Sequence, residues 1–480
     1  MEKSQVTLEE IFAPRGVAIV GVTGSGMSFA GNVVQSLKTA GFPNIYPVNP
    51  KHSEILGLPC YPNLMSIPGE VDHVIVNIPA EASLALMDDC AAKGVKSVHF
   101  FTAGFGESGL SERADLEQAI LKKARDGGFR IIGPNCVGLF VPKSRLVNGG
   151  GLPLEPGPVA FMSQSGGHAQ NLPAYGAQRG LTFSKVVSYG NALDVDESEL
   201  LEYFSEDPET DFIAAYIEGV KDGRRFFKAL KQAASKKPVV IYKGGSTEAG
   251  QRAAYGHTAS MTSSVAIFDS FCRQAGAIKV DDVDQMIDAL VALRFSKPLP
   301  TGTGVALIGA GGGPSVMASD ELEKAGLFLP RLTERVQAEL KSHLPLAGSI
   351  FINPIDTPNL TTPEAVTVAM RILGAQPEIH MLVYHLGFHP IGSWGYGRFF
   401  SEEYRDALIN SFLEAQKISN KPVLLALRPG QDVRKMEEFL VAQEAFVKAG
   451  LPVFHSLSHV ASAMARVVGW NRKTRPLQNE

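Results

Sequence analysis

Short runs rich in valine and isoleucine recur along almost the whole of this 480-residue chain, each followed by a longer stretch with helical spacing. A continuous apolar run closed by a turn residue marks a strand buried on both faces, as occurs when helices cover both sides of a parallel sheet. The pattern therefore predicts an α/β fold. In the first part, residues 16–20, 44–48, 72–77, 97–101 and 130–132 read as strands, separated by helices over 30–40, 82–93 and 111–126. That is a doubly wound unit of the size that binds a mononucleotide or dinucleotide. Glycine and proline break the pattern at 149–158, and strands resume at 159–162, 184–187, 212–217 and 238–243 before a helix over 283–295. A second break at 297–304 is followed by strands at 305–308, 380–384 and 423–427. Three α/β modules are expected, over residues 1–148, 149–298 and 299–480.

Composition narrows the function classes. The net charge of −4 is small, and no block of like charge is long enough to track nucleic acid or an anionic membrane. The four cysteines, Cys60, Cys90, Cys136 and Cys272, lie far apart with no CxxC pair, and no HExxH occurs, so neither a disulfide framework nor a metal site is expected. With a charged N-terminus and no run of about 18 apolar residues, the expectation is a cytoplasmic protein.

After the first strand comes Gly21-Val-Thr-Gly-Ser-Gly-Met-Ser-Phe-Ala-Gly31, which turns into a helix and offers backbone N–H groups to an anion. Such glycines also serve close packing, so the loop alone does not settle the matter. The second strand ends in Val48-Asn-Pro-Lys51. An NAD enzyme usually places an acid there for the ribose hydroxyls; a lysine suits an additional phosphate, such as the 3′-phosphate of coenzyme A or the 2′-phosphate of NADP. Later strand ends, Ile78-Pro-Ala-Glu81, Thr102-Ala-Gly-Phe-Gly106 and Gly133-Pro-Asn-Cys-Val-Gly138, lie at the same carboxyl edge. Cys136, alone between Asn and Val, reads as a packed residue rather than a nucleophile.

In the second module, the strand 159–162 leads into Ser163-Gln-Ser-Gly-Gly167 at the start of a helix, a cradle for an oxyanion or phosphate. His257 lies in a loop of small and hydroxyl residues without adjacent charge, which suits a neutral nucleophilic ring. Glu218, at the end of the strand 212–217, can orient that ring and stabilise its cation. The other histidines read as structural, with His168 at most a supporting group. A hydrolase triad of Ser165, His257 and Asp194 or Asp196 is the rival arrangement, weakened by the missing first glycine of a nucleophile elbow.

These residues resemble the ADP-forming acyl-CoA synthetases, relatives of the succinyl-CoA synthetase α chain, over roughly residues 7–470. The glycine loop, Tyr46-Pro-Val-Asn-Pro-Lys51, Ala103-Gly-Phe105 and Ile132-Gly-Pro-Asn-Cys136 look like the family's CoA-binding domain. Ser163-Gln-Ser-Gly166, Ile217-Glu-Gly219 and Gly256-His-Thr258 look like its phosphohistidine domain, and Gly311-Gly-Gly-Pro314 with Asn353-Pro-Ile-Asp356 like the third domain of the longer synthetases. The resemblance implies a Rossmann-like CoA-binding domain followed by two flavodoxin-like, parallel-sheet domains. It implies that His257 carries a phosphoryl group, that Glu218 supports it, and that Ser163, Ser165, Gly166 and Gly167 bind phosphate. Gly21, Thr23, Gly24, Ser25, Lys51, Pro79, Thr102 and Asn135 would hold coenzyme A. Tyr255 and Gly256 depart from the hydroxyl residues that often precede the histidine.

The implied reaction joins a carboxylic acid to coenzyme A with ATP, releasing ADP and phosphate, by way of an acyl phosphate and phosphorylated His257. The chain has no GxxxxGK[ST] loop and no region resembling an ATP-grasp fold. A separate ATP-grasp subunit, binding ATP or ADP with Mg2+, is therefore expected, in a heterotetramer. Two other readings stand beside this one: a non-catalytic acyl-CoA sensor and an NADP-linked oxidoreductase.

Overall fold

The computed structural model describes residues 6–23, 28–252, 265–309, 312–346, 348–357, 362–387, 401–430 and 432–474. These form two compact units, one of residues 1–177 and 181–283, the other of residues 178–180 and 284–480.

The first unit holds two large sheets and a small antiparallel pair, Glu54–Ile55 with Leu58–Pro59. One large sheet has five parallel strands in the spatial order Ile45–Val48, Val17–Val20, His73–Val76, Ser97–Phe100, Arg130–Ile132. All four residues of Val17–Val20 and of His73–Val76 are buried, as the uninterrupted apolar runs require. His73 and His99 are fully enclosed, and burial pushes their imidazoles down to about 3 and about 4. His73 Nδ1 meets Ser97 Oγ at 2.7 Å and His99 Nε2 meets the Cys136 carbonyl at 2.9 Å, which makes both histidines structural, as expected. Helix α1 (Leu8–Phe12) opens with a capping box between Thr7 and Glu10. Helices α2 (Phe29–Ala40), α3 (Ala80–Lys93) and α4 (Ser111–Gly127) each end on a glycine in the left-handed conformation.

The second sheet runs Ile278–Val280, Val239–Lys243, Phe212–Ile217, Pro156–Ser163, Phe183–Ser188, Leu139–Phe140. Its pairs are parallel except the last, where Leu139–Phe140 runs antiparallel to Phe183–Ser188. Sequence reading places the residues of that last strand in the first module and does not anticipate Ile278–Val280. It also starts the second module's first strand late: Pro156 and Gly157, inside the glycine- and proline-rich break, already belong to it. Helix α5 (Gly166–Ala177) follows that strand and accommodates Pro173 within it. Arg130 ties the two sheets' segments, pairing with Asp194 at 2.8 Å and with Glu199 at 2.7 Å while almost wholly buried.

The second unit has one sheet, ordered Ile350–Phe351, Ile355–Asp356, Val305–Ile308, Met381–Gly387, Val423–Arg428, Val453–Phe454, parallel except for its first pair. Its core joins Ile308, Leu382 and Leu425 to Phe412 and Phe446 from covering helices. Asn353 is structural: its amide donates to the Val305 and Pro330 carbonyls at 2.8 and 3.1 Å and accepts from Leu307 N at 3.0 Å.

In each large sheet the chain leaves the first strand toward one neighbour and later crosses to the other side, leaving a crevice at the carboxyl ends where the direction reverses. In the first unit those crevices fall at Gly21 and Asn77, and at Gln164 and Glu218. No described helix is long and apolar enough to cross a membrane.

Candidate active site

Gly21 occupies the first crevice with φ +90°, and a β-carbon there would lie 2.4 Å from the Asn77 carbonyl oxygen. Only glycine allows the two strand ends to approach this closely. Its N–H donates to the Val48 carbonyl at 3.0 Å, and Thr23 Oγ1 meets Ser28 Oγ at 3.4 Å. Ser28 caps α2 by accepting from Gly31 N at 3.1 Å. Gly24 and Ser25 lie outside the described residues. Lys51 is exposed in a turn held by its N–H to Asn49 Oδ1 at 2.9 Å.

A cavity of about 690 Å³ opens beside this crevice, lined by residues 77–79, 101–103, 135–137 and 164–167. It brings Pro79, Thr102 and Asn135 from the first sheet together with Ser165, Gly166 and Gly167 from the second; Gly21 and Lys51 are not among its walls. The Thr102 hydroxyl donates to the Ile78 carbonyl at 2.7 Å, and the Asn135 N–H donates to the Thr102 carbonyl at 3.1 Å. The three strand-end loops are thus bonded to one another before any ligand arrives. Asn135 reaches its position through a left-handed backbone, φ +55°. Burial raises the Cys136 thiol well above its usual range, consistent with a packed residue.

The cradle at the start of α5 is built by its serines. Ser163, fully buried, donates to the Ser165 carbonyl at 2.7 Å and accepts from Ser165 N at 3.1 Å, so its hydroxyl shapes the turn and does not line the cavity. Ser165 Oγ accepts from His168 N at 3.4 Å, a cap on the first turn. A β-carbon on Gly166 would come within 2.9 Å of Val137, whereas one on Gly167 would meet nothing closer than 3.8 Å. The helix therefore offers its N-terminal N–H groups and dipole to the cavity with little side chain in the way, a setting for an anion.

Gln164 binds this cradle to the Glu218 turn. Its Oε1 accepts from the N–H groups of Glu218 and, at 2.9 Å, Gly219; its Nε2 donates to the Gly219 carbonyl at 3.0 Å. Glu218 is itself buried, and Tyr216 donates to its Oε1 at 3.1 Å. The other carboxylate oxygen, Oε2, is buried with no partner among the described residues. From below, Lys243 Nζ donates to the Glu218 and Gly244 carbonyls, both at 2.6 Å. Burial lowers the Lys243 pKa, opposed by the nearby charge of Glu218. His168 packs on Tyr216 with ring centroids 4.4 Å apart; burial lowers its pKa, again opposed by Glu218. His257 lies in residues 253–264, outside those described.

Sequence reading passed over Gln164 and Lys243. The signal was position: both stand at or just after the end of a buried strand, where a polar side chain has only the site to face. The hydrolase arrangement falls, because Asp194 is taken up by Arg130 and by Ile131 N at 2.9 Å. Asp196 caps the helix Glu197–Glu206 and pairs with Arg225 at 2.9 Å. Among the described residues no group of three or more His, Cys, Asp or Glu could hold a metal ion.

Two family models match the chain: a CoA binding domain over residues 15–142 and a succinyl-CoA ligase like flavodoxin domain over residues 156–293. The α subunit of Pyrococcus furiosus acetate–CoA ligase (ADP-forming) II is 34% identical over 467 residues, 96% of this chain and 97% of that one. The chain belongs to the ADP-forming acyl-CoA synthetase family. The synthetase chain thus carries a CoA-binding domain and matches the α subunit of an acid–thiol ligase along nearly its whole length. A longer Methanocaldococcus jannaschii acetate–CoA ligase (ADP-forming) is 34% identical over 358 residues, 74% of this chain but 50% of that protein. The solved acetyl-coenzyme A synthetase 1 of Ca. Korarchaeum cryptofilum, in complex with phosphate and ADP, matches with a TM-score of 0.80 at 28% identity and 98% coverage of both chains. Neither the sensor nor the oxidoreductase reading is favoured by these likenesses.

Proposed function

We propose that this chain is the phosphohistidine-carrying subunit of the synthetase, with His257 taking the phosphoryl group. The observation that carries the reading is the shared cavity: CoA-domain strand ends and the bare N-terminus of α5 face one space, and Gln164 in its wall is bonded to the turn of Glu218, whose Oε2 has no partner among the described residues. A carboxylate is a poor electrophile toward a thiol, so the acid first takes a phosphoryl group from His257; the thiol of coenzyme A then attacks the carbonyl and phosphate leaves. Glu218 Oε2 accepts from one imidazole N–H, which fixes the tautomer and leaves the other nitrogen to attack phosphorus. The N–H groups of Gly166 and Gly167 and the hydroxyl of Ser165 stabilise the phosphoryl oxygens, while Ser163 holds the turn in shape by accepting the Ser165 N–H. Gly21, Thr23, Gly24, Ser25, Pro79, Thr102 and Asn135 receive coenzyme A, and Lys51 its 3′-phosphate.

ATP or ADP, with Mg2+, is handled by a separate ATP-grasp subunit, in a heterotetramer of two chains of each kind. The Pyrococcus furiosus relative, matched over 97% of its length, is named as one subunit of its enzyme, which supports a partner chain. Four free, buried cysteines suit a reducing cytoplasm.

The test is co-expression with an ATP-grasp partner, incubation with Mg-ATP and measurement of acid-labile, base-stable phosphate on the chain. Label on the wild type and none on His257→Ala is expected. Equal label on both would end the proposal, as would full turnover by the isolated chain.

A further inference from the structure

A second cavity, of about 480 Å³, lies in the same unit beside the first. Helix α5 serves both: Gly166 and Gly167 line the first, and Gln170 and Asn171, one turn on, line the second. One turn is about 5.4 Å of rise. Between them stand two stacked rings, Phe101 from the first lining and Phe29 from the second, with centroids 3.5 Å apart and planes within 7° of parallel. The two spaces thus share a boundary made of this ring pair and successive turns of α5.

The lining of that space is polar and uncharged. Asn32, Asn148, Gln170 and Asn171 supply carboxamides, Phe29 and Leu152 supply apolar wall, and none of its residues is Asp, Glu, Lys, Arg or His. Asn148 is the decisive residue. It is 4% exposed, and neither its Oδ1 nor its Nδ2 has a partner among the described residues. A buried carboxamide without partners is costly, and a ligand that both donates and accepts removes the cost. Gly149 keeps the adjoining loop close to α5: a β-carbon there would stand 3.3 Å from Gln170 Nε2.

We infer that this second cavity receives the tail of the carboxylic acid, and that the acid is a monocarboxylate whose tail is uncharged and carries a hydroxyl or carboxamide group. The inference rests on the proposed phosphohistidine chemistry. The carboxyl carbon must reach the phosphoryl group and the thiol in the first cavity, so the rest of the acid must extend elsewhere, and the next turn of α5 borders the available space. A two-carbon acid would leave most of a cavity this size to water. A dicarboxylate would bring its second charge among amides with no cation to meet it, which a partly desolvated site penalises.

The experiment uses the chain reconstituted with its ATP-grasp partner and compares succinamate and 4-hydroxybutanoate with succinate and pentanoate as acids. Succinamate and succinate differ in charge at nearly constant shape. The expected result is kcat/KM about tenfold or more higher for the two polar, uncharged tails. Asn148→Leu should cut that preference about tenfold or more while leaving the KM for coenzyme A and the Mg-ATP labelling of His257 unchanged; Gln170→Leu, read the same way, serves if the first variant does not fold. Succinate equal to or better than succinamate overturns the inference. So does an unchanged acid ranking in the variants, or a raised KM for coenzyme A alone, which would give the cavity to the pantetheine arm. Loss of His257 labelling in the wild type would instead mark failure of the phosphohistidine reading.

Discussion

Replacing Lys243 by methionine nearly preserves the side chain's length and removes its ammonium group. In the fold Nζ lies 2.6 Å from each of two backbone carbonyls, those of Glu218 and Gly244, on a residue 1% exposed and 5.8 Å from the centre of the Phe268 ring. A hydrogen bond to a charged donor contributes about 1.5–3 kcal/mol, and a carbonyl abandoned in the interior costs about 1–3 kcal/mol. Relief of the desolvated ammonium offsets part of that sum, leaving a net loss of about 2–4 kcal/mol. At about 2–4 °C per kcal/mol, the melting temperature should fall by roughly 5–15 °C. The functional loss comes from the same bonds: with one of its two carbonyl anchors gone, the turn holding Glu218 keeps only the Gln164 clamp, and phosphorylation of His257 should slow by about tenfold or more. Differential scanning fluorimetry reads the first effect, and the initial rate of acid-labile labelling with the ATP-grasp partner reads the second. A variant that melts within about 1 °C of wild type and labels at the wild-type rate would refute the anchoring argument.

Three further perturbations separate the roles assigned above. Glu218→Gln should lower the rate of His257 labelling by about 100-fold with little change in melting, since no cationic side chain pairs with the carboxylate in the described structure; a wild-type rate would remove Glu218 from the chemistry. Gly21→Val forces a β-carbon to within 2.4 Å of the Asn77 carbonyl at φ +90° and should weaken coenzyme A binding about tenfold or more by calorimetry; unchanged affinity would move the CoA site elsewhere. In the second unit Asp288 pairs with Arg179 at 2.8 Å, both buried, and with His459 at 2.6 Å. Asp288 raises the His459 pKa above 6.5, so that group's contribution is complete below 6.5 and disappears as pH rises through the raised value. Despite burial, His459 and Arg179 hold Asp288 below 3.8, so its contribution is present above 3.8 and lost as pH falls through the lowered value. His459→Gln should therefore flatten the decline in melting temperature from about pH 6 to 9, and identical profiles would exclude the pair. Asp288→Asn, which leaves buried Arg179 unpaired, should cost about 3–5 kcal/mol by denaturant titration.

Much of the architecture was legible because parallel sheets write their strands as unbroken apolar runs. Phe212–Ile217 falls where the sequence placed it and Val239–Lys243 differs by one residue, whereas Pro156–Ser163 begins three residues before its expected start. What escaped were short or weakly apolar pieces: Ile278–Val280 contains a lysine, and Leu139–Phe140 is two residues long, so neither produces a periodic signal. The candidate site was legible where glycines and hydroxyls follow a strand, as at residues 165–167, because those residue types leave backbone N–H groups uncovered. Sequence could not tell that Ser163 spends its hydroxyl inside the turn while Gln164 reaches across to Gly219, since both facts depend on the direction a side chain takes from the strand end. Nor could spacing reveal the second cavity, whose walls come from α2, the 148–152 loop and α5.

Leu139–Phe140, stitched antiparallel onto Phe183–Ser188, bears on how such proteins can be recombined. A chimaera spliced at the glycine- and proline-rich stretch after residue 148 would import a foreign edge strand along with the donor's CoA-binding portion, and the recipient sheet would have to accept its register. A crossover placed between residues 132 and 139 leaves that edge with its native neighbour. Exchange of CoA-binding portions between split and single-chain relatives should therefore tolerate junctions ahead of Leu139 better than junctions at the visually obvious linker.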